Sequence, residues 1–182
     1  MVKYYKFYLI LKVSFRWISE KLDGIRAYWN GKIMISRNGK KINCPNWFIE
    51  EIPKDISFDG ELWLERGSFE LLNGIINSND DFEWKRISFM VFDLPNSNET
   101  YEIRMRDLSN LNLPNHINLI DIERCKGNDH LQQCLVDIIG IGGEGLMVNK
   151  SNSFYVKSRV ETLLKVKVCL IISCKIYIKV IF

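Results

Sequence analysis

Short runs of apolar and β-branched residues recur along the chain, separated by turn-forming clusters. They predict strands at Trp17–Lys21, Ile25–Trp29, Lys32–Ser36, Ile56–Leu64, Ile87–Leu94, Ile117–Ile122, Gly145–Asn149 and Thr162–Val168. Asn30-Gly31 lies between two of these runs, a hairpin signal because both residues tolerate positive φ. The clearest helical period covers Asp129–Ile139, where Leu131, Leu135, Ile138 and Ile139 share one face and Asp129 is the expected cap. Weaker helical patterns cover Asn46–Glu51, Ser68–Ile76 and Arg104–Leu111. The mixture is α+β, with no internal repeat and no low-complexity linker.

The two ends read differently from the middle. Residues 1–15, MVKYYKFYLILKVSF, hold a short apolar run at Phe7–Leu11 that Lys12 interrupts, and no small-residue cleavage site follows. A secretory signal needs more than this. The segment reads as an extra strand or a frayed leader, a damaged signal being the alternative. Cys169–Phe182, CLIISCKIYIKVIF, is apolar and β-branched, but Lys175 and Lys179 break it and it falls short of the ~20 residues of a membrane span. It suits a strand that needs cover, and such an ending suggests that something which normally follows is missing.

Composition narrows the chemistry. A chain of 182 residues with 47% hydrophobic and 26% charged residues supports one packed domain plus stubs. Only two histidines occur, His116 and His130, which argues against a multi-histidine zinc centre or a site built around a histidine base. The five cysteines are Cys44, Cys125, Cys134, Cys169 and Cys174; their irregular spacing contains no C-x-x-C, so a reducing compartment fits better than a disulfide scaffold. A net charge of +3 is too mild to prove nucleic-acid binding, but charge is segregated. Gly24–Ile49 carries Arg26, Lys32, Arg37, Lys40 and Lys41 with no acid, and a second basic stretch holds Lys150, Lys157, Arg159, Lys165 and Lys167. Gly67–Trp84 carries Glu70, Asp80, Asp81 and Glu83 with no base. Each stretch alone is a solvated face; the two basic ones converging would make a phosphate track.

Gly140–Gly145 matches G-x-G-x-x-G, but a dinucleotide fingerprint needs a strand before it and a helix after it. Here the order is reversed and the match is rejected. No G-x-x-x-x-G-K-[ST] occurs either. The informative string is Lys21-Leu22-Asp23-Gly24-Ile25-Arg26. It puts an amine at the end of a strand, next to a turn. A lysine attacks phosphorus only when neutral, and Arg26, Lys165 and Lys167 are candidate cations to favour that form. By itself the string is equally a surface β-turn with ordinary charges.

In company with five later segments, the string resembles the nucleophile motif of ATP-dependent DNA ligases of the covalent nucleotidyltransferase superfamily. SEKLDGIRAYWNGK is followed, in that family's order, by SRNGK (Ser36–Lys40), FDGELW (Phe58–Trp63), SFMVFDLP (Ser88–Pro95), GGEGLMVNK (Gly142–Lys150) and LLKVKV (Leu163–Val168). The resemblance spans about Trp17 to Val168, and small ligases without accessory domains are the best match. It implies a nucleotidyltransferase (ATP-grasp-like) fold, with antiparallel sheets flanked by helices and the nucleotide pocket between them.

The resemblance also implies roles. Lys21 would take AMP from ATP as a phosphoramidate. Arg26 and Glu61 would hold the ribose, Phe92 would stack on adenine, Lys165 and Lys167 would contact the α-phosphate, and Glu144 would serve Mg²⁺ or Mn²⁺. Asp23 and Asp59 would order the site and assist later steps, and Arg37 would grip the 5′-phosphate of nicked double-stranded DNA. Phe92 is also readable as a strand core residue, and Glu61 and Glu144 as exposed acids beside strands. Glu61, however, sits inside the apolar run Phe58–Leu64, where an unpaired carboxylate is costly, so a bound partner is expected. Only 20 residues precede Lys21, too few for the nicotinamide-recognition domain of NAD-dependent ligases.

Two departures from the family stand out. An OB-fold domain, a five-stranded barrel, normally follows the last lysine motif, and Cys169–Phe182 cannot hold one. YVKSR (Tyr155–Arg159) places Ser158 where relatives have glycine. The expected organisation is therefore a leader (1–16), an adenylation domain (17–168) and an apolar tail (169–182). The expected function is lysine adenylylation, AMP transfer to a nick and sealing, by a monomer without membrane attachment. The alternatives are a non-catalytic nucleotide- or nick-binding remnant, and an RNA ligase or mRNA-capping-type enzyme. An intracellular site (cytoplasm, nucleus or viral replication site) is expected, with the bacterial periplasm as the alternative.

Overall fold

Alternation of buried and exposed positions organises the strands, and it does so in two separate sheets. The computed structural model describes residues 3–5, 15–78, 80–172 and 175–181, with side chains over 15–78 and 80–168. In chain order the elements are β1 (Lys3–Tyr5), β2 (Arg16–Glu20), β3 (Ile25–Trp29), β4 (Met34–Ser36), α1 (Asn46–Glu50), β5 (Phe58–Trp63), α2 (Phe69–Asn77), a 3₁₀ turn (Glu83–Arg86), β6 (Ser88–Asp93), α3 (Tyr101–Ser109), β7 (Ile117–Leu119), β8 (Ile122–Arg124), α4 (Asn128–Gly140), β9 (Leu146–Lys150), β10 (Leu163–Ile172) and β11 (Lys175–Ile181). Phe7–Leu11, the apolar run of the leader, lies outside the described residues. The chain divides into two units: residues 1–22 with 121–182, and residues 23–120.

The first unit is an antiparallel six-stranded sheet in the order β1-β11-β10-β9-β2-β8. One face of it is apolar. Ile18, Leu146, Val148, Leu164 and Val166 pack there with Cys125 and with Leu131 and Leu135 of α4, while Ile138 and Ile139 close the edge of the cluster. The helical face predicted for 129–139 is the face that packs. The cap is different: Gly127 stands at the N-cap with positive φ and no side-chain hydrogen bond, and Asp129 lies in the first turn. There its charge still complements the helix dipole. The apolar tail, expected as a single strand, instead extends β10 to Ile172 and then forms β11, which pairs back on β10.

The second unit is a five-stranded sheet, β4-β3-β5-β6-β7, antiparallel except for the β6–β7 pair. A parallel pair needs a crossover, and α3 supplies it. The core face carries Ala27, Trp29, Met34, Phe58, Leu62, Phe89 and Val91, all at most 1% exposed. Phe48 of α1 packs there edge-on to Trp84 of the 3₁₀ turn at 5.1 Å, and Leu72 and Ile75 of α2 are buried. The β3–β4 hairpin forms as Asn30-Gly31 predicts, through a four-residue loop. Asn30 Oδ1 accepts the amides of Lys32 and Ile33, both at 2.9 Å, and Gly31 has φ 92° with Lys54's carbonyl where a Cβ would stand.

The run Ile117–Ile122, expected as one strand, is two. β7 ends at Leu119 in the second unit and β8 begins at Ile122 in the first, so this short apolar stretch is one of the two places where the chain passes between units, the other being Leu22–Asp23. Periodicity cannot reveal such a switch, because both halves are strand-like.

Candidate active site

In the first unit, strand register decides which side chains meet. Ser19, Met147 and Lys165 lie level on adjacent strands, since Met147 pairs with both. One period further along the same face stand Lys21 and Lys167, with Gly145 between them. Strands two apart are separated by roughly 10 Å, a span that two lysine side chains bridge if a carboxylate sits midway. Glu144 is that carboxylate. Its Oε2 pairs with Lys21 Nζ and its Oε1 with Lys167 Nζ. The three side chains are 19–31% exposed, so the cluster is partly dry and still reachable. Lys165 shares the face one step back and is half-buried.

The loop before β9 makes this geometry possible. α4 ends in a turn in which Gly142 and Gly143 donate to the carbonyls of Ile139 (3.0 Å) and Ile138 (2.8 Å), with Gly142 at φ 83°. Gly145 follows at φ 148°, against the Val166 carbonyl where a Cβ would collide. Its own carbonyl accepts the backbone N–H of Lys21 at 2.9 Å. The glycines that mimic a dinucleotide fingerprint are thus a helix stop and a close approach between strands, and the helix-then-strand order that argued against a dinucleotide site is the observed one. The amine's observed immediate neighbour is a carboxylate with Lys167 beyond it. The crowd of cations expected from sequence is therefore only part of its surroundings.

The second unit carries the other set of predicted residues on the face opposite its core. Arg26 of β3 makes a two-point pair with Asp59 of β5, Nε to Oδ1 at 3.0 Å and Nη2 to Oδ2 at 2.5 Å. Asp59 is buried, whereas the Arg26 side chain is 47% exposed. Glu61, paired in register with Arg26, accepts the Gly24 N–H at 2.9 Å. The partner that its apolar setting required is therefore at least in part the chain itself. Gly24 runs so close to Leu62's carbonyl that a Cβ has no room, which explains the glycine after Asp23. Phe92 has the parity of Met90, away from buried Phe89 and Val91, and its ring lies 5.8 Å from Arg26 Cζ. The competing reading of Phe92 as a core residue does not fit that placement. Asp23 is half-buried in the turn before β3, and Arg37 is exposed in the tight turn after β4, where Ser36 N–H donates to Lys40's carbonyl at 2.8 Å.

Sequence reasoning missed a second arginine–aspartate pair. Arg104 of α3, 2% exposed, binds Asp93 at the end of β6 through Nε–Oδ1 (2.5 Å) and Nη2–Oδ2 (3.0 Å), and donates to Glu99's carbonyl at 2.7 Å. Burial pushes the Asp93 carboxyl above its ordinary value, against the pull of Arg104. The signal was present in Asp93's buried parity on β6, which obliges a partner.

Solved structures show what this fold is similar to. A Lig E DNA ligase, from a study of DNA binding with a minimal scaffold, superposes with a TM-score of 0.80 at 37% identity, covering 85% of this chain and 62% of that one. A Chlorella virus DNA ligase-adenylate superposes with a TM-score of 0.70 at 23% identity over 84% of this chain and 61% of that one, a likeness of fold. The fold is that of a DNA ligase nucleotidyltransferase domain. The family model described as "ATP dependent DNA ligase domain" matches residues 8–167, and the chain belongs to that family. A DNA ligase of Haemophilus influenzae is 35% identical over 155 residues, 83% of this chain. The chain spans 58% of that relative's length. Among the described residues, no helix is long and apolar enough to cross a membrane.

Proposed function

We propose that the chain acts as the adenylation domain of an ATP-dependent DNA ligase: Lys21 takes AMP from ATP and passes it to the 5′-phosphate of nicked duplex DNA, and a 3′-hydroxyl then displaces AMP to seal the strand. The observation that carries this reading is the Lys21–Glu144–Lys167 ion cluster, which unites three residues of the nucleophile, carboxylate and paired-lysine motifs.

Phosphoryl-type transfer asks for an in-line nucleophile and for charge neutralisation more than for covalent help from the protein. Lys21 is the nucleophile. Its Nζ donates to Glu144 Oε2, which gives the amine's proton an acceptor when the N–P bond forms and pyrophosphate leaves. Lys167, with Lys165 one step behind on the same face, suits the α-phosphate oxygens. In the second unit, Arg26 has a charge fixed by Asp59 and an exposed outer edge, and Glu61 is oriented by Gly24. These groups suit ribose hydroxyls, and the face of Phe92 suits adenine. Asp23 and Asp59 order these groups, and Arg37, exposed at its turn, suits the 5′-phosphate of the nick.

Glu144 is a partly exposed oxygen donor of the kind Mg²⁺ or Mn²⁺ prefers, and it would hold such a cation. When bound, the cation would neutralise charge on the phosphates. Moving Lys167 onto the α-phosphate would end its pairing with Glu144 Oε1, which leaves that carboxylate oxygen for other use while Oε2 stays with Lys21.

The test is to incubate the protein with α-labelled ATP or GTP and Mg²⁺, denature it and count retained label. The expected result is label from ATP, none from GTP, and none in Lys21→Ala. Label from GTP alone would transfer the chain to the capping-type reading. A chain that takes no label yet binds nicked DNA would be a non-catalytic remnant.

A further inference from the structure

Away from the lysine cluster, at the sheet edge of the first unit, three side chains of different chemistry aim at one point. Glu123 projects from β8, the last strand of the six-stranded sheet. His130 and Cys134 project from α4, one turn apart, so that helical geometry stacks them on one face. Cys134 Sγ lies 3.1 Å from Glu123 Oε1 and 3.6 Å from His130 Nε2, and His130 Nε2 lies 3.3 Å from Glu123 Oε2. The ligase chemistry proposed above uses none of the three.

Two readings of such a trio compete. In a nucleophile relay the acid holds the far nitrogen of the imidazole and the thiol meets the near one. Here Glu123 touches both the thiol and the same Nε2 that faces it, and His130 Nδ1 instead accepts the Lys126 N–H at 3.2 Å. One donor atom from each residue can be chosen so that all three lie within 4.8 Å of one another. Tetrahedral zinc, with bonds of about 2.0 Å to nitrogen or oxygen and about 2.3 Å to sulfur, separates its ligand atoms by roughly 3.3–3.7 Å. The Cys134–His130 separation lies in that range, and Glu123 turns one oxygen towards each of them, Oε2 at 3.3 Å from the imidazole and Oε1 at 3.1 Å from the thiol, so a small rotation of its carboxylate brings one oxygen onto the metal.

We propose that Glu123, His130 and Cys134 form a site for Zn²⁺ or a similar borderline-soft divalent cation, with water as the fourth ligand, clamping the edge strand β8 to α4. Imidazole and thiolate together select such a metal over Mg²⁺. Binding releases one proton, from the Cys134 thiol. His130 keeps its proton but moves it from Nε2, now the ligand, to Nδ1, giving up the bond from the Lys126 N–H at the exposed start of α4, where water replaces it. One thiolate and one carboxylate balance the dication.

Co²⁺ is the probe, because a thiolate ligand gives it a sulfur-to-metal charge-transfer absorption that oxygen ligands, such as Glu144, cannot. The reduced, full-length protein is expected to take one Co²⁺ with that band, to yield it to one equivalent of Zn²⁺, and to release about one proton per metal. Cys134→Ser should abolish the band and His130→Ala should weaken binding by about tenfold or more, while Lys21→Ala and Cys44→Ser leave both unchanged. Far-ultraviolet circular dichroism confirms that each variant is folded. A band that survives in folded Cys134→Ser, or Co²⁺ bound without any charge-transfer band, overturns the proposal.

Discussion

The second unit contains two arginine–aspartate pairs of nearly the same geometry and very different surroundings. Both are two-point contacts between 2.5 and 3.0 Å, and their aspartates, Asp59 and Asp93, are cross-strand partners on β5 and β6. Arg104 is 2% exposed and spends a further donor on Glu99's carbonyl, whereas Arg26 is 47% exposed. The buried pair ties α3 to the end of β6. The other fixes a guanidinium whose outer edge still faces solvent. The same chemistry is a fastener in one place and a presented charge in the other, and exposure alone tells them apart.

Removing the fastener gives the largest expected effect. Arg104→Ala strands the Asp93 carboxylate in a buried site and is expected to cost about 3–5 kcal/mol, read as a drop in denaturant midpoint. Arg26→Ala lets water reach Asp59 from the side the guanidinium leaves, and should cost about 1–2 kcal/mol. Equal losses for the two variants would erase the distinction drawn between the pairs.

Gly145→Ala comes next, because its cost combines a positive φ with a collision at Val166's carbonyl. A loss of about 1–3 kcal/mol is expected, accompanied by a larger loss of adenylylation than stability explains, because Gly145's carbonyl also holds the Lys21 backbone. A variant that loses stability and labelling in simple proportion would show that the loop is structural only.

The smallest effect concerns Cys44. Burial pushes its thiol up to about 12. A raised pKa means that the folded state favours the protonated form. Its contribution to stability is therefore whole below the thiol's unfolded value near ~8.5 and declines as pH rises from there towards 12. Alkylation of Cys44 at pH 8.5, followed by peptide mass spectrometry, should be about a hundredfold slower in the folded chain than in denaturant. Equal rates would contradict the burial assignment.

Most of this architecture was legible in the residues, and the exceptions have physical causes. Strands such as Ile25–Trp29 and the helix around 129–139 announce themselves because one face of each is buried, and burial leaves a period. The divided run after Ile117 was not legible, since two strands in different sheets share the same local preference. Nor was the missing Asp129 cap, because Gly127 starts the helix without a side chain at all. Among the candidate residues, Lys21, Glu144 and Lys167 were visible as motifs, and only strand register brings them together. Arg104 belonged to no quoted motif, and a lone arginine in a weakly amphipathic helix gives no hint that it is buried. The Glu123–His130–Cys134 trio was hidden for a related reason: two histidines and scattered cysteines look too sparse for a metal site until α4 is laid against β8.

The central claim is that the amine of Lys21, set against Glu144 and Lys167, becomes bonded to adenylate. Intact-mass spectrometry of the protein after incubation with ATP and Mg²⁺ tests it most directly. The account predicts a mass increase of one AMP, absent from Lys21→Ala and mapped to the Lys21 peptide. An unchanged mass, or AMP found on another residue, would contradict it.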